Sequence, residues 1–165
     1  MTDIQENKPI TRYWPLIALI LVAMLAAFAL RHSTDGDHLK WMHYFMGFFL
    51  SQFALLKLFH PRGFADGFQM YDILAKKSRI YAYIYPLIEL ALALGYLSFF
   101  MPMLVYLITI AVMVFGAIGV IKALKEGLDL RCACMGTALD VPLSTVTLTE
   151  DIGMSVLALI MLIMQ

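Results

Sequence analysis

Two cysteines separated by one residue, Cys132 and Cys134, are the side chains of this chain best suited to chemistry. Thiols at this spacing can bind a soft metal ion or form a strained, readily reduced disulfide. The neighbouring Arg131 favours the thiolate electrostatically, and Gly136 lets the chain turn sharply after the pair. The same pattern is also compatible with a buried, inert pair. It therefore predicts redox or soft-metal chemistry without choosing between them.

A second candidate is Glu89, a carboxyl group within a long apolar run. A charged side chain at mid-membrane costs ~2.5–3.5 kcal/mol on insertion scales, so it should face other helices and have a partner. Gln52 is expected at similar depth, and Lys57, five residues further along, can reach towards it. Pro86 is expected to kink the helix and free a backbone carbonyl nearby. Glu89 therefore serves either to hold helices together or to take part in proton transfer and redox tuning.

The four histidines are weaker candidates. Three of them flank two aspartates on the predicted outer side of the membrane: His32, His38 and His43, with Asp35 and Asp37. These side chains have the donor atoms for a divalent metal ion, but we expect them to be solvated loop residues. The fourth histidine, His60, precedes Pro61 at a predicted helix end, where an imidazolium would meet the negative end of the helix dipole.

The composition predicts an integral membrane protein. Of 165 residues, 62% are apolar and only 15% are charged, and the mean hydropathy is +0.82. A soluble domain is closer to half apolar and a quarter charged. The net charge of zero gives no reason to expect a nucleic-acid partner, and two cysteines are too few for a disulfide framework. The twelve methionines are most simply explained as apolar filler in helices.

Five apolar runs are candidates for membrane-spanning helices, each of which needs ~20 residues. They cover about residues 14–30, 41–59, 80–100, 103–124 and 142–164. The last run reaches spanning length only if its helix begins near Pro142, which places Glu150 and Asp151 inside it. It can otherwise tilt or enter from the interface. We therefore predict an all-α, multi-pass membrane bundle as a single domain over residues 1–165, with the cysteines in a connection at 125–149.

The distribution of basic residues predicts the orientation, because cytoplasmic loops are enriched in Lys and Arg. With the N-terminus inside, ten basic residues lie on the cytoplasmic side: Lys8, Arg12, Lys57, Arg62, Lys76, Lys77, Arg79, Lys122, Lys125 and Arg131. Only Arg31 and Lys40 lie outside. This places the cysteine connection in the cytoplasm. A cleaved signal peptide ending near Ala27–Ala29 is the alternative for the first run, but a short polar loop and another apolar run follow it directly.

Four short segments, taken in order, carry a family resemblance. The stretch KLFHPRGFA at 57–65 is similar to a K-x-x-(H)P-x-x-FA pattern, and YDIL at 71–74 to a Tyr-x-Leu-Leu pattern. The stretch PLIEL at 86–90 is similar to Pro-x-x-Glu-Leu, and CACMG at 132–136 to Cys-Gly-Cys-Phe-Gly. Together they resemble the MauE family of methylamine-utilisation membrane proteins, which is related to DoxX-like proteins. The resemblance covers about residues 41–165 and leaves the 14–30 helix unexplained.

The resemblance implies a four-helix core, to which this chain adds an N-terminal helix. It also implies a bacterial-type inner membrane and a redox-associated role in the maturation of a disulfide-containing periplasmic enzyme. In that role the protein acts beside a thioredoxin-like or other membrane or periplasmic partner. This chain departs from the family pattern at Ala133, which replaces glycine, and at Met135, which replaces phenylalanine. Met135 adds a third soft sulfur ligand, which favours Cu(I). The substrate of the methylamine system is therefore not transferred.

Three functions remain open at this point. In the leading hypothesis, Cys132 and Cys134 exchange electrons with a partner protein, and Glu89 supplies or accepts the coupled proton. In the second, the cysteines and Met135 bind copper or mercury in a transport or resistance protein. In the third, the chain is an assembly subunit without chemistry, held by packing of Gly116, Ala117 and Gly119 on the fourth predicted helix. The sequence requires no cofactor, leaves a soft metal ion possible, and places the thiols where glutathione keeps dithiols reduced.

Overall fold

Six helices make up the described part of the chain, which comprises residues 9–34, 37–127 and 143–165 of this computed structural model. They are α1 Pro9–Ser33, α2 His38–Phe59, α3 Pro61–Tyr71, α4 Arg79–Ser98, α5 Pro102–Lys125 and α6 Leu143–Met164. No strand occurs in these ranges. The predicted all-α class is confirmed.

Five of the helices, all except α3, are long and apolar enough to cross a membrane. They overlap the five apolar runs of the sequence. The last one, α6, begins at Leu143, so its 22 residues span about 33 Å at 1.5 Å per residue. Glu150 and Asp151 therefore lie inside a helix of spanning length, and both are buried. Their burial means that the rest of the bundle has to accommodate two carboxyl groups.

Helix α3 was not predicted, because the sequence analysis treated residues 60–79 as a connection. Pro61 occupies the first turn of the helix, where its missing N–H costs nothing. The side chains of Phe64, Ala65, Phe68 and Tyr71 are all buried. Their spacing of one, three and three residues is that of one face of a helix. This apolar face packs against α4, α5 and α2, so α3 covers one end of the bundle.

The turn between α4 and α5 is as tight as the sequence predicts. Helix α4 ends at Ser98 and α5 begins at Pro102. Phe99 and Met101 both adopt left-handed backbone conformations, with φ of 54° and 41°, at a cost of roughly 1–2 kcal/mol each. The ring of Phe99 packs on His43, with centroids 4.5 Å apart. This aromatic contact anchors the strained turn to α2.

The chain direction places four helix ends beside α3. Helix α2 leads into α3, α4 follows α3, and α5 returns from the hairpin to the same end, where α6 begins. Near the end of α5, a Cβ added at Gly119 would lie 3.1 Å from the backbone oxygen of Tyr71 at the end of α3. We call this the α3 end of the bundle. Helix α1 packs mainly on α2 and is the least buried of the spanning helices.

Candidate functional site

A buried ion network lies in the half of the bundle towards the α3 end. Lys57, on the last turn of α2, donates a hydrogen bond to Oε1 of Glu89 on α4 and another, 3.2 Å long, to Oε1 of Glu150 on α6. The side chains of Lys57, Glu89 and Glu150 are 3%, 0% and 2% exposed. One ammonium group therefore joins three helices inside the bundle.

A third carboxyl group lies directly beside this network. Asp151 follows Glu150 on α6 and is only 2% exposed. It faces α5 at Gly116, where an added Cβ would lie 2.9 Å from Asp151 Oδ2. A contact under 3.0 Å is essentially never seen for a real Cβ, so a larger residue at this position would require the Asp151 carboxyl group to shift. Together, Lys57, Glu89, Glu150 and Asp151 form what we call the carboxyl cluster.

Aromatic rings surround the ammonium group of Lys57. Its Nζ lies 5.3 Å from the ring centroid of Tyr85, 5.8 Å from that of Phe64 and 5.9 Å from that of Phe53. Rings within about 6 Å attract a cation through their quadrupole, by ~2 kcal/mol or more when the site is desolvated. Phe64 belongs to α3, so the helix that the sequence analysis missed supplies one wall of the site.

A small cavity of about 10 Å³ adjoins the carboxyl cluster, close to the least volume that can hold one water molecule. The polar groups on its walls belong to Lys57, Tyr71, Tyr85, Thr147, Glu150 and Asp151. The remaining walls include Phe64 and Phe68 of α3. The cavity therefore lies between the carboxyl cluster and the helix that covers this end of the bundle.

Asp72 ends α3 and is also buried. Its Oδ1 accepts hydrogen bonds from the backbone N–H groups of Leu74, at 2.9 Å, and Ala75, at 2.7 Å. Burial raises the pKa of Asp72 above its ordinary value of 3.8, and the two backbone N–H groups and the charge of Lys76 oppose this only in part. The Asp72 side chain thus stabilises the turn that leads into α4 through two hydrogen bonds. Its burial shifts the equilibrium of this carboxyl group towards the neutral form.

The sequence matches the protein-family model described as methylamine utilisation protein MauE over residues 37–164, about three quarters of the chain. The chain belongs to the MauE family. The match begins at the start of α2 and contains every residue of the carboxyl cluster, whereas α1 precedes it. The resemblance seen over residues 41–165 is therefore confirmed. No curated protein and no solved structure matched the chain.

Of the site residues expected from the sequence of this MauE-family protein, the structure brings Lys57 and Glu89 together. Gln52 does not join them, and its Oε1 has no hydrogen-bond partner within the described ranges. Pro86 lies inside α4, one turn before Glu89. His60 and Pro61 form the exposed junction between α2 and α3.

The predicted residues of the cysteine connection lie outside the described residues: Arg131, Cys132, Cys134, Met135 and Gly136. Conversely, the sequence analysis missed Glu150 and Asp151 as site residues. The sequence feature that could have identified them is the presence of two adjacent carboxyl groups inside the last predicted helix. Charged residues in a spanning helix usually face the interior and mark function.

The expectation of a solvated loop residue was wrong for His43. The side chain is 2% exposed, because α2 begins at His38 and turns the His43 ring towards α4 and α5. Its Nδ1 lies 3.2 Å from the backbone oxygen of Tyr96, and its Nε2 contacts the hydroxyl of Tyr106. The carbonyl can only accept, so Nδ1 carries the proton and Nε2 accepts from Tyr106. His32 and His38 are exposed, as expected.

Two observations bear on the alternative functions of this MauE-family protein. Within the described ranges, no group of three or more His, Cys, Asp or Glu side chains is arranged to hold a metal ion. The small residues Gly116 and Gly119 of α5 face Asp151 and the end of α3, respectively. They therefore bring helices of the same chain into close contact.

Proposed function

We propose that this MauE-family protein is a membrane thiol–disulfide exchange protein, in which Cys132 and Cys134 react with a disulfide of a partner protein. The carboxyl cluster is the observation that carries the proposal. A bundle that only filled a place in an assembly would have no need for Lys57, Glu89, Glu150 and Asp151 in its interior, since apolar residues of similar volume are often as stable or more so.

The location of the cluster supports the link to the cysteines. The connection that contains them leaves α5 after Gly127 and enters α6 at Leu143, and both of these helix ends belong to the α3 end. Glu150 lies seven residues into α6, about 10 Å along its axis at 1.5 Å per residue. The carboxyl cluster and both ends of the connection therefore occupy the same half of the bundle.

The proposed reaction is a balanced exchange. The thiolate of one cysteine attacks the partner disulfide, which breaks that S–S bond and forms a mixed disulfide. The second cysteine then attacks the mixed disulfide, closes the Cys132–Cys134 bond and releases the partner as a dithiol. Two electrons and two protons pass to the partner, and Glu89 takes up a thiol proton and returns it to a leaving thiolate. A dithiol protein of thioredoxin-like type restores the reduced pair.

We further propose a bacterial-type inner membrane with the N-terminus, and hence the α3 end, in the cytoplasm. In support, the basic side chains of Arg62, Lys76, Lys77 and Arg79 at this end are exposed, as expected for a face that meets the cytoplasm. A membrane-impermeant maleimide added to intact cells should then fail to label Cys132 and Cys134 until the membrane is opened. Labelling of intact cells from outside would reverse the proposed orientation.

The exchange reaction is tested with purified, reduced protein in detergent micelles and a peptide that contains one internal disulfide. The wild-type protein should reduce the peptide and lose two hydrogens by mass. Cys132→Ser and Cys134→Ser should each abolish turnover, and one of them should accumulate the mixed disulfide. Met135→Leu is the matched control, because it retains both thiols and removes only the third sulfur of the soft-metal alternative. Full activity of either serine variant would refute the exchange role.

A further inference from the structure

The segment from the end of α3 to the start of α4 exposes basic and apolar side chains next to one another. Lys76 and Lys77 are both exposed, and so are two apolar side chains, Met70 at 50% and Leu74 at 44%. All four residues lie outside the membrane-spanning helices, since α3 is too short to span and α4 begins at Arg79. We call Met70, Leu74, Lys76 and Lys77 the interfacial patch.

The backbone of the interfacial patch forms a hydrogen-bonded turn. The N–H groups of Lys77 and Ser78 both donate to the backbone oxygen of Leu74, at 3.0 and 2.9 Å. The carboxyl group of Asp72 accepts from the N–H groups of Leu74 and Ala75. Lys77 therefore follows Leu74 by one turn, and residues at this spacing lie on the same side of a helical segment. An apolar and a cationic side chain thus lie side by side.

The position of the interfacial patch along the chain places it at the depth of the lipid headgroups. Lys77 is two residues before Arg79, the first residue of the spanning helix α4, and two residues of chain extend at most ~7 Å. The headgroup region is roughly 5–8 Å thick on each side of the hydrocarbon core. Ile80 on α4 and Phe59 at the end of α2 are each 71% exposed, as expected of side chains that meet acyl chains. This depth holds for either orientation of the bundle.

The two ammonium groups of the interfacial patch are available to a ligand. Neither Lys76 nor Lys77 forms an ion pair with another described residue. Lys76 interacts electrostatically with the buried carboxyl group of Asp72. The exposed acid of α3, Asp66, is already paired with Arg79 at 2.6 Å. An anion outside the described part of the chain can therefore approach both lysines.

The exposed residues at the α3 end are predominantly basic. Within the described ranges, two acidic residues are exposed there against six basic ones: Asp66 and Glu126 against Arg62, Lys76, Lys77, Arg79, Lys122 and Lys125. Residues 128–142 add two acidic residues and one basic residue, and residues 1–12 contain two of each. Three more basic than acidic residues therefore remain, wherever those segments lie. An anionic surface complements this excess.

We propose that the interfacial patch binds anionic phospholipids, with Lys76 and Lys77 on the headgroup phosphate and Met70 and Leu74 against the adjoining acyl chains. Basic residues next to a spanning helix attract anionic lipid, and apolar side chains among basic ones are typical of segments that lie in the interface. A free phosphate ion would leave the apolar side chains without a partner, and a soluble acidic protein would have to displace the adjoining lipid. The inference goes beyond the proposed exchange reaction, because it involves neither cysteine.

Native mass spectrometry of the full chain in detergent micelles tests the proposal by counting bound lipid as phosphatidylglycerol or phosphatidylcholine is added. The wild-type protein should bind phosphatidylglycerol about tenfold more tightly or better, and this preference should fall as the ammonium acetate concentration rises. Lys76→Gln and Lys77→Gln should each weaken phosphatidylglycerol binding about fivefold and leave phosphatidylcholine binding unchanged. Both lysines are exposed, so both variants should keep the wild-type helical circular dichroism.

Lys40→Gln is the matched control for the two lysine variants. It removes the same charge from an exposed lysine at the opposite end of the bundle, near the α4–α5 hairpin, so it should change the affinity for phosphatidylglycerol less than about twofold. Leu74→Gln should weaken binding of both lipids, since it removes an apolar contact that does not depend on headgroup charge. The double variant Cys132→Ser/Cys134→Ser should bind lipid like the wild-type protein, so loss of thiol exchange and loss of lipid binding are distinguishable.

Three results would overturn the inference. The first is equal affinity of the wild-type protein for the two lipids, which would leave the interfacial patch to a soluble acidic partner. The second is lipid binding by Lys76→Gln and Lys77→Gln that matches that of Lys40→Gln. The third is release of phosphatidylglycerol by millimolar inorganic phosphate, because the patch would then be a site for the free ion.

Discussion

Lys57 and Glu89 are 32 residues apart in the sequence, yet their side chains form a direct ion pair inside the bundle. Neither is more than 3% exposed. The same ammonium group also reaches Glu150, which is 93 residues further along the chain than Lys57. This single side chain therefore links α2, α4 and α6 and makes the carboxyl cluster dependent on the packing of three separate helices.

Replacing Lys57 with methionine should be the most destabilising of the single substitutions considered for the cluster. Removal of one partner from a buried ion pair costs about 3–5 kcal/mol, because the other partner is left uncompensated. The free energy of unfolding in mixed micelles measures this effect. The double variant Lys57→Met/Glu89→Gln should recover part of the loss, since it removes one of the abandoned carboxyl groups.

Lys76→Met is the matched control for Lys57→Met. Lys76 is exposed in the turn before α4, and surface charges away from such networks usually change stability by less than about 0.5 kcal/mol. Equal effects of Lys57→Met and Lys76→Met would show that the ion pair contributes nothing to the fold.

Alanine substitutions at two glycines should have opposite effects. At Gly116 the new methyl group would lie 2.9 Å from Asp151 Oδ2, so we expect a loss of about 1–3 kcal/mol from overpacking. At Gly153 on α6 no atom lies within 4 Å of the added Cβ, so alanine should stabilise the helix by roughly 0.5–1 kcal/mol. Thermal unfolding in detergent compares them, and a Gly116→Ala protein as stable as Gly153→Ala would contradict the close approach of α5 and α6.

Tyr106→Phe should destabilise the hairpin end of the bundle. The substitution leaves Nε2 of the buried His43 without the hydroxyl donor that it contacts, and an unsatisfied buried polar group costs about 1–3 kcal/mol. Tyr44→Phe is the control, because Tyr44 is only half-buried and packs edge-on against Phe99. The unfolding free energies of both variants measure the difference. A Tyr106→Phe protein that matches Tyr44→Phe would mean that His43 gains little from the hydroxyl.

Asp72 should make stability fall as pH rises through the acidic range. Burial raises its folded-state pKa above 3.8, so its contribution is fully present below the unfolded value and is lost as pH rises through the folded pKa. Asp72→Asn should remove this slope and keep the turn, because the amide oxygen can still accept from Leu74 and Ala75. The melting temperature against pH measures it.

Asp72→Ala is the companion variant for that measurement. It also removes the slope but loses the two backbone hydrogen bonds of 2.9 and 2.7 Å, so it should be less stable than Asp72→Asn at every pH, by roughly 1 kcal/mol or more. An unchanged slope in both variants would assign the pH dependence to another group.

The membrane-spanning helices could be predicted from the sequence because the lipid bilayer restricts which segments can cross it. A segment that crosses the hydrocarbon core needs a long apolar run, and five such runs occur. A carboxyl group buried in a membrane needs a partner, and this follows from the residue type alone. The sequence could therefore identify Lys57 correctly as a partner of Glu89. Gln52 was also expected near Glu89, because the two lie at similar depth in the bundle. It does not join Glu89, because depth in the membrane does not specify which face of the helix a residue occupies.

The misses have a different origin. Helix α3 is too short to span and carries Pro61 and Gly63 near its start, and these residue types are more typical of a connection than of a helix. His43 lies inside the predicted run 41–59, but its proximity in sequence to His32, His38 and the two aspartates favoured a solvated position. Proximity in sequence does not specify which face of a helix a residue occupies, and His43 faces the bundle interior, where it is 2% exposed.

The sequence by itself determined that this chain lives in a membrane, how many apolar helices it has, and that it carries a MauE-like pattern around Lys57, Glu89 and the cysteine pair. These properties depend on local composition and order. Only the tertiary structure decided that Glu150 and Asp151 join Lys57 and Glu89, because that depends on which faces of α2, α4, α5 and α6 meet. Gly116 permits the close approach of α5 and α6. The reason for a glycine at this position is evident only from the structure, where Asp151 lies against it.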